Sequence, residues 1–379
     1  MLARCLSASL QGLEARPVVV EVDLAPGLPG VQLVGLPDKA IQESRERVRS
    51  ALRNSGFRGP LVRVVINLAP ADLRKEGPSF DLPIALALLV ASGQLARPQL
   101  EGLWCAGELG LDGSLRPCRG VIALAAKAQQ HKAQALVVPP ENAQEASLIE
   151  GLTIRTAANL HTLVEQLKGE RPWPATGSST RSSTQPTKPA SWPCLDSSLA
   201  SRALALSAAG GHHLLLVGPP GCGKTRLAHQ LPRLLPALSR KEALSITRIH
   251  SVAGQLHGID QLQQQRPFRS PHHSCSAAAL LGGGRSPRPG EVSLAHGGVL
   301  FLNELAEFPR AVLDQLRQPL ENGAVQISRS QLSTRSSLQL LRVARTIADL
   351  NDRASVDRNA VAEASCFRCT DLLKQPGAQ

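Results

Sequence analysis

The sequence predicts an α/β protein, and two observations carry that prediction. Over residues 1–168, apolar runs of strand length alternate with stretches of helical periodicity, as expected for strands and helices packed in layers. Further along, a strand is predicted over His213–Val217, around the apolar run Leu214–Val217, and it leads into a glycine-rich turn and then into the helical stretch Arg226–Leu231. A chain of 379 residues is long enough for two or three domains.

Four strands and four helices are predicted in the first segment. The strands are Val18–Val22, Val31–Val34, Leu61–Ile66 and Ala135–Val138, and the helices are Asp38–Ser55, Leu82–Ser92, Gly120–His131 and Ala158–Lys168. Asp38 is the expected N-cap of the first helix, whose apolar positions Ile41, Val48 and Leu52 share one face.

The net charge of +12 is typical of a protein with an acidic partner, most commonly nucleic acid. It is about as typical of a basic protein that has no such partner. Lys and Arg outnumber Asp and Glu by only 18 to 16 over residues 1–168, but by 14 to 8 over residues 194–330. Half of the positive excess therefore lies in the second segment.

The eight cysteines are scattered, which suits a reducing cytosol better than a disulfide framework. The single CxxC pattern, Cys366 to Cys369, has no second pair and is interpreted as coincidence. No apolar run approaches the ~20 residues of a membrane span, and the N-terminus lacks the apolar core of a signal peptide. We expect a soluble, cytoplasmic protein.

The glycine-rich turn after Leu214–Val217 has the pattern GxxxxGK[ST] of a phosphate-binding P-loop. The predicted ATP-binding residues are Gly218, Pro219, Pro220, Gly221, Cys222, Gly223, Lys224 and Thr225. Backbone N–H groups and the helix start would surround the β-phosphate, and Lys224 would reach the β- and γ-phosphates. Because Thr225 offers a hydroxyl to a metal ion, the expected cofactors are ATP and Mg²⁺.

A second motif, Gly298–Glu304, is an apolar run that ends in an acidic residue, as in a Walker B element. Glu304 is the predicted catalytic residue, together with Lys224, because a glutamate here polarises the attacking water. Asn303 stands where an Asp normally organises Mg²⁺. A neutral carboxamide adds no charge to the metal shell, so weakened magnesium binding is expected.

The first segment contains three distinctive stretches, Gly77–Pro83, Gly107–Pro117 and Ala135–Glu141. Together they resemble motifs of the peptidase domain of Lon. The resemblance places Ser79 at the nucleophile, but Ile122 falls where Lon has its activating lysine. A serine without a base is a weak nucleophile, so a Lon-like fold without peptidase chemistry is expected, with Lys127 as an alternative base.

The second segment resembles the magnesium-chelatase-like branch of the AAA+ ATPases, through Arg266–Ser274, Gly282–Gly284 and Pro289–His296. Together with the Lon-like segment, the resemblance narrows to the ComM/YifB family. It implies ring hexamers that drive DNA branch migration during natural transformation. It also makes Arg335, in Leu332–Arg335, the second sensor.

Part of the family pattern is missing. Between Ser330 and Gln331 the resemblance implies a long segment that holds a central sheet strand, the first sensor and the arginine finger, and this chain lacks it. The missing strand would lie between the P-loop strand and the Walker B strand, so its loss would leave unpaired backbone groups. ATP turnover is therefore expected to be impaired.

Four arginines between the two motifs fall in sequence that predicts exposed loops: Arg266, Arg269, Arg285 and Arg288. They are candidate contacts to the DNA backbone or, nearly as well, to a neighbouring subunit. Adjacent His272 and His273 are expected to point apart, which favours a structural role over metal binding.

The expected organisation has four parts: a Lon-protease-like α/β domain (1–168), a Pro/Ser/Thr-rich linker (169–193), an incomplete AAA+ P-loop α/β domain (194–330) and a short C-terminal helical lid (331–379). Two alternatives remain open at this point. One is a chelatase-type ATPase subunit, which lacks a Lon-like domain. The other is a remnant that binds nucleotide at most.

Overall fold

The computed structural model of the chain describes residues 2–174, 198–256, 261–283 and 288–322, with side chains to residue 316, and isolated positions between 343 and 364. The described chain forms two compact units. The first contains Met1–Ser183, Ser239–Gln264 and Gly282–Gly290, and the second contains Thr184–Leu238, Gln265–Leu281 and Glu291–Gln379. None of the described helices combines the length and apolar character needed to span a bilayer.

The N-terminal part of the first unit alternates strands and helices, as the sequence predicts. Its strands are β1 (Leu2–Gln11), β2 (Glu14–Ala25), β3 (Gly30–Val34), β4 (Arg63–Ala69), β5 (Leu103–Cys105), β6 (Glu108–Leu109), β7 (Leu115–Arg116), β8 (Ala135–Val138) and β9 (Thr153–Thr156). Its helices are α1 (Lys39–Asn54), α2 (Asp81–Ala91), α3 (Val121–Gln130), α4 (Ala143–Ser147) and α5 (Leu160–Lys168).

Seven of these strands form one mixed sheet in the order β3-β4-β2-β1-β5-β8-β9. The pairs β1–β2 and β2–β4 are antiparallel, and the remaining pairs are parallel. Alternate residues of β1 face opposite layers: Cys5 packs in the core with α1, α2 and α5, and Ala8 packs in the core with α3. Every residue of α2 is buried, so this helix lies at the centre of the unit.

The later part of the chain adds shorter elements. These are α6 (Leu199–Gly210), α7 (Lys224–Ala228), α8 (Leu231–Leu234), α9 (Arg240–Ala253), β10 (Phe268–Arg269), α10 (Ala277–Leu281), β11 (Gly282–Gly283), β12 (Arg288–Pro289), α11 (Glu291–Leu294), β13 (Val299–Leu300) and α12 (Arg310–Asn322). Helix α9 and the β11–β12 hairpin belong to the first unit.

The prediction of a strand over His213–Val217 is wrong. Residues 212–219 have no regular secondary structure, and Leu215 and Val217 are 45% and 65% exposed. Their backbone finds no partner strand in the described chain. The Walker-B-like strand does form, but it is short: β13 pairs in parallel with β10, through Phe268 with Val299 and Arg269 with Leu300.

Candidate nucleotide site

The glycine-rich loop is a tight, exposed turn that leads into α7. Gly221 and Gly223 have φ angles of 80° and 86°, in the left-handed region that glycine adopts at little cost. Lys224 begins α7, and its Nζ donates hydrogen bonds of 2.7 Å to the carbonyl oxygens of Gly218 and of Pro219. The ammonium group therefore sits within the curve of the loop, and Thr225 is exposed beside it.

Helix α7 is shorter than the sequence suggested, because it ends at Ala228 and α8 begins only at Leu231. An aromatic cluster anchors its C-terminal end. The ring centroid of His229 lies 4.4 Å from that of Phe268 and 6.3 Å from that of Phe301. The loop helix is thereby attached to the two-stranded β10–β13 sheet.

Glu304 lies just beyond β13, where the backbone turns sharply. Its φ of 54° is in the left-handed region, which is uncommon for a residue other than glycine and is frequent at functional sites. Its side chain is 62% exposed, and Oε2 lies 3.5 Å from Nδ1 of His273. Asn303, beside it, is exposed. Among the described side chains, no hydrogen bond or ion pair joins Lys224 or Thr225 to Glu304.

His272 and His273 do not point apart, contrary to the sequence expectation. Their ring centroids are 4.1 Å apart, because the residues lie in an irregular turn rather than in a strand or helix. His272 Nδ1 lies 2.8 Å from the hydroxyl of Ser274. Within the described ranges, no group of three or more His, Cys, Asp and Glu side chains could hold a metal ion.

Two of the candidate DNA-contacting arginines have partners inside the second unit. The prediction of an exposed loop is wrong for Arg269, which lies half-buried on β10, whereas Arg266 lies in a loop and is half-exposed. Arg269, on β10, donates two hydrogen bonds of 2.7 Å to the carboxylate of Glu291. This pairing raises the pKa of Arg269 and fixes the guanidinium. Arg266 donates hydrogen bonds of 2.6 Å to the carbonyl oxygens of Pro236 and Gly297.

Of the other candidate arginines, one lies within the described residues and two lie outside them. Arg288 is exposed on β12 and available to a partner. Arg285 and the second-sensor candidate Arg335 lie outside the described residues, as do Cys366 and Cys369.

The Lon-like serine has no base in the described structure. Ser79 lies in a 3₁₀ turn (Pro78–Phe80), where its carbonyl oxygen accepts a 3.0 Å hydrogen bond from Gly107 N. Ile122 is buried on α3, and the exposed Lys127 Nζ donates to Gln130 Oε1 at 3.0 Å. No hydrogen bond from a lysine to Ser79 Oγ occurs among the described residues, and the absence of peptidase chemistry stays a prediction.

Three contacts were not predicted from the sequence. They are the ring contacts of His229 with Phe268 and Phe301, the ion pair of Arg269 with Glu291, and the contact of His273 with Glu304. Each joins residues well separated along the chain, so local pattern carries no signal for it. The parallel pairing of β10 with β13 is what brings these residues close.

Two family models match the chain. The model of magnesium chelatase, subunit ChlI, covers residues 194–351, and a second model of the ChlI subunit of Mg-chelatase covers residues 20–142. The first match contains the glycine-rich loop, Asn303 and Glu304. The second covers most of the mixed sheet.

Curated relatives are similar over most of the chain. Competence protein ComM of Haemophilus influenzae is 45% identical over 341 residues, 87% of this chain and 65% of the relative. YifB of Escherichia coli is 45% identical over 324 residues, 84% of this chain and 63% of the relative. An uncharacterized protein of Mycobacterium tuberculosis is 46% identical over 333 residues, 86% of this chain and 65% of the relative. The matches thus span somewhat less than two thirds of these relatives' length.

Proposed function

Because the chain belongs to the ComM/YifB family of magnesium-chelatase-like, AAA+-type ATPases, we propose that it binds ATP with Mg²⁺ at Gly218–Thr225 and uses the nucleotide in work on DNA. The observation that carries the proposal is the complete glycine-rich loop, with the Lys224 ammonium group held inside its curve.

The residues of the loop fit a triphosphate. The left-handed glycines allow a close approach to the backbone, and the loop is exposed along its length. Lys224 would exchange its two carbonyl partners for phosphate oxygens, and Thr225 would hold Mg²⁺ through its hydroxyl, where the ion would neutralise phosphate charge. Glu304 would orient the attacking water, with Arg335 as the second sensor by family resemblance.

Turnover by this chain is proposed to be impaired. Asn303 supplies no charge to the metal shell, and the segment with the first sensor and the arginine finger is missing between Ser330 and Gln331. An arginine finger alone is worth about 10³-fold or more in rate. Nucleotide binding requires neither feature, so binding and hydrolysis are separable.

The proposed partner is single-stranded or branched DNA, acted on by a hexameric ring in branch migration during natural transformation. Support comes from the ComM and YifB relatives and from the basic excess of residues 194–330. Arg285 and Arg288 are the proposed backbone contacts, since Arg266 and Arg269 have partners of their own.

A chelatase-type ATPase subunit is the second candidate, because both family models describe magnesium chelatase. The distinguishing observation is the effector. DNA would stimulate ATP hydrolysis in the first case, and a porphyrin would do so in the second.

The test is binding of a fluorescent ATP analogue with and without Mg²⁺. We expect saturable, magnesium-dependent binding that is lost in Lys224→Ala and kept in Lys241→Ala, an exposed lysine of α9. Equal binding by the two variants would reject the assigned loop. Failure of the unaltered chain to bind would support a remnant without function.

A further inference from the structure

Strand β3 leaves one edge of the seven-stranded sheet open. It is the first strand in the sheet order and pairs on one side only, with β4, in parallel register from Gly30 with Arg63 to Val34 with Asn67. The N–H and C=O groups on its other side therefore have no strand partner within the described part of the chain. Open edges of this kind are templates for pairing with another polypeptide.

Two almost fully exposed leucines lie at the start of this edge. Leu28 is 90% exposed and Leu61 is 84% exposed. Leu28 lies two residues before Gly30 and Leu61 two residues before Arg63, and Gly30 and Arg63 pair in the sheet. Val31, within β3, is 37% exposed. Isolated exposed leucines are ordinary, but these two precede neighbouring strands at the end of the sheet where the open edge lies, and each offers apolar surface to an incoming chain.

A groove of about 300 Å³ runs between β3 and α1, lined by Val31, Gln32, Leu33, Gln42 and Arg45. Arg45 Nη1 lies 3.5 Å from the carbonyl oxygen of Val31, a long and weak contact at the strand edge. The lining of the groove thus combines two aliphatic side chains, two amides and one cation, and no carboxylate is among these five residues.

The surroundings of the groove are positively charged. Helix α1 contains four arginines and one lysine but only two acids, and one of these acids, Glu43, lies 4.0 Å from Arg47. Arg45 and Arg49 follow one another by one turn on the exposed surface, and Arg63 donates to Gln32 Oε1 at 3.1 Å. Within the described ranges, none of these three arginines forms an ion pair.

We propose that the edge of β3 is a docking site for an extended segment of another protein, which adds a strand to the sheet and carries acidic side chains between apolar ones. The open strand edge would form backbone hydrogen bonds with the added strand. The two leucines would contact its apolar side chains, and the arginines would pair with its acidic ones. This surface is distinct from the nucleotide site and does not depend on the proposed function.

Charge argues against the other occupants. In a dimer that paired through this edge, Arg45 and Arg63 of one copy would face Arg45 and Arg63 of the other, and these like charges would repel. The linker over residues 169–193 has a single acidic residue, Glu170, and is rich in proline, which lacks the N–H that strand pairing needs. A nucleic acid would satisfy the arginines but not the unpaired strand or the leucines.

The test uses full-length protein and fluorescein-labelled peptides of about eight residues, the length of an ordinary strand. One peptide alternates Val with Glu, a second alternates Val with Lys, and a third is the Val-Glu peptide methylated on alternate backbone nitrogens. We expect the Val-Glu peptide to bind at least about tenfold more tightly than either of the others.

Substitutions locate the surface. Leu28→Ser with Leu61→Ser, and separately Arg45→Glu, should each weaken Val-Glu binding about tenfold, and Arg45→Glu should improve Val-Lys binding. Arg97→Glu, an exposed position away from the edge, should change nothing. Equal binding of all three peptides, or full binding by the leucine variant, would overturn the proposal. So would a concentration-dependent dimer that the leucine substitutions abolish, or displacement of the peptide by a dT oligonucleotide at physiological salt.

Discussion

The side-chain pair Arg47 and Asp81 ties α1 to the start of α2. Arg47 Nε donates to Asp81 Oδ2 at 2.7 Å, and Nη2 donates to Oδ1 at 3.1 Å. Burial raises the pKa of Asp81, and the guanidinium opposes that rise. We predict that Arg47→Met lowers the free energy of unfolding by about 3 kcal/mol at neutral pH, because a buried carboxylate loses its counter-charge. Urea denaturation measures this loss.

The loss of stability in Arg47→Met should depend on the protonation of Asp81, and therefore on pH. In Arg47→Met the folded-state pKa of Asp81 rises further, and a protonated carboxyl needs no counter-charge. The deficit should therefore shrink as the pH falls toward about 4, where the unfolded carboxyl also binds its proton. The control is Arg4→Met, which breaks the exposed pair with Glu21 and should cost less than about 1 kcal/mol. Equal losses in the two variants would contradict the prediction.

Lys75 is a fully buried amine whose Nζ donates to the carbonyl oxygen of Pro70. Burial lowers the pKa of Lys75, so the unfolded chain binds this proton more tightly than the folded chain does. Folding stability linked to this group is therefore gained as the pH rises toward the unfolded value of about 10.4 and lost as the pH falls.

We predict that Lys75→Met removes this alkaline gain. The measurement is urea unfolding of both proteins across the alkaline range, with the exposed Lys168→Met as control. The difference in unfolding free energy between the unaltered chain and Lys75→Met should change with pH, and the difference for Lys168→Met should stay flat. A flat difference for both would show that Lys75 keeps its ordinary pKa when folded.

At the scale of elements, the segment before the glycine-rich loop should behave as open chain. The amides of Leu214–Val217 have no partner strand among the residues that the structure describes, whereas those of Val18–Val22 lie in β2 between β1 and β4. We predict amide exchange at least about 10³-fold faster in the first set, since exchange from a central strand needs large-scale unfolding. Hydrogen exchange with peptide-level mass spectrometry measures this. Comparable protection would mean that a partner strand forms in solution.

The same comparison shows what sequence patterns can predict. The four strands and four helices expected within residues 1–168 all correspond to observed elements, because hydrophobic period and capping are local signals. Strand β1 was missed: its inward positions include Ser7 and Ser9, which hide the apolar alternation. The strand over 213–217 was predicted from apolar character alone, and pairing depends on residues far along the chain.

The candidate site follows the same rule. The loop Gly218–Thr225 is a contiguous motif and was found from the sequence, although its assignment to ATP stays a prediction. The contact of Glu304 with His273 and that of Arg269 with Glu291 depend on how β10 and β13 pair. Charge composition suggested free arginines, but only Arg288 of the described candidates is exposed without such a partner.

For the whole molecule, the two units differ in how much core they contain. Among the described residues, the first unit has two large buried clusters, one on each face of the seven-stranded sheet, and the second has two small ones, around Leu206 and around Phe308. Because burial of apolar surface is the main stabilising term, the second unit should unfold first on heating. Calorimetry should therefore show two transitions, the lower of which belongs to the second unit.

Nucleotide identifies the lower transition. Mg·ATP at about 100 times its dissociation constant adds about 2.7 kcal/mol to whichever unit binds it. Only the lower transition should move to higher temperature, because Gly218–Thr225 lies in the second unit. In Lys224→Ala, Mg·ATP should leave the temperature of that transition unchanged. A shift of the upper transition alone would place the nucleotide on the first unit. A single transition that moves as a whole would show that the two units unfold cooperatively.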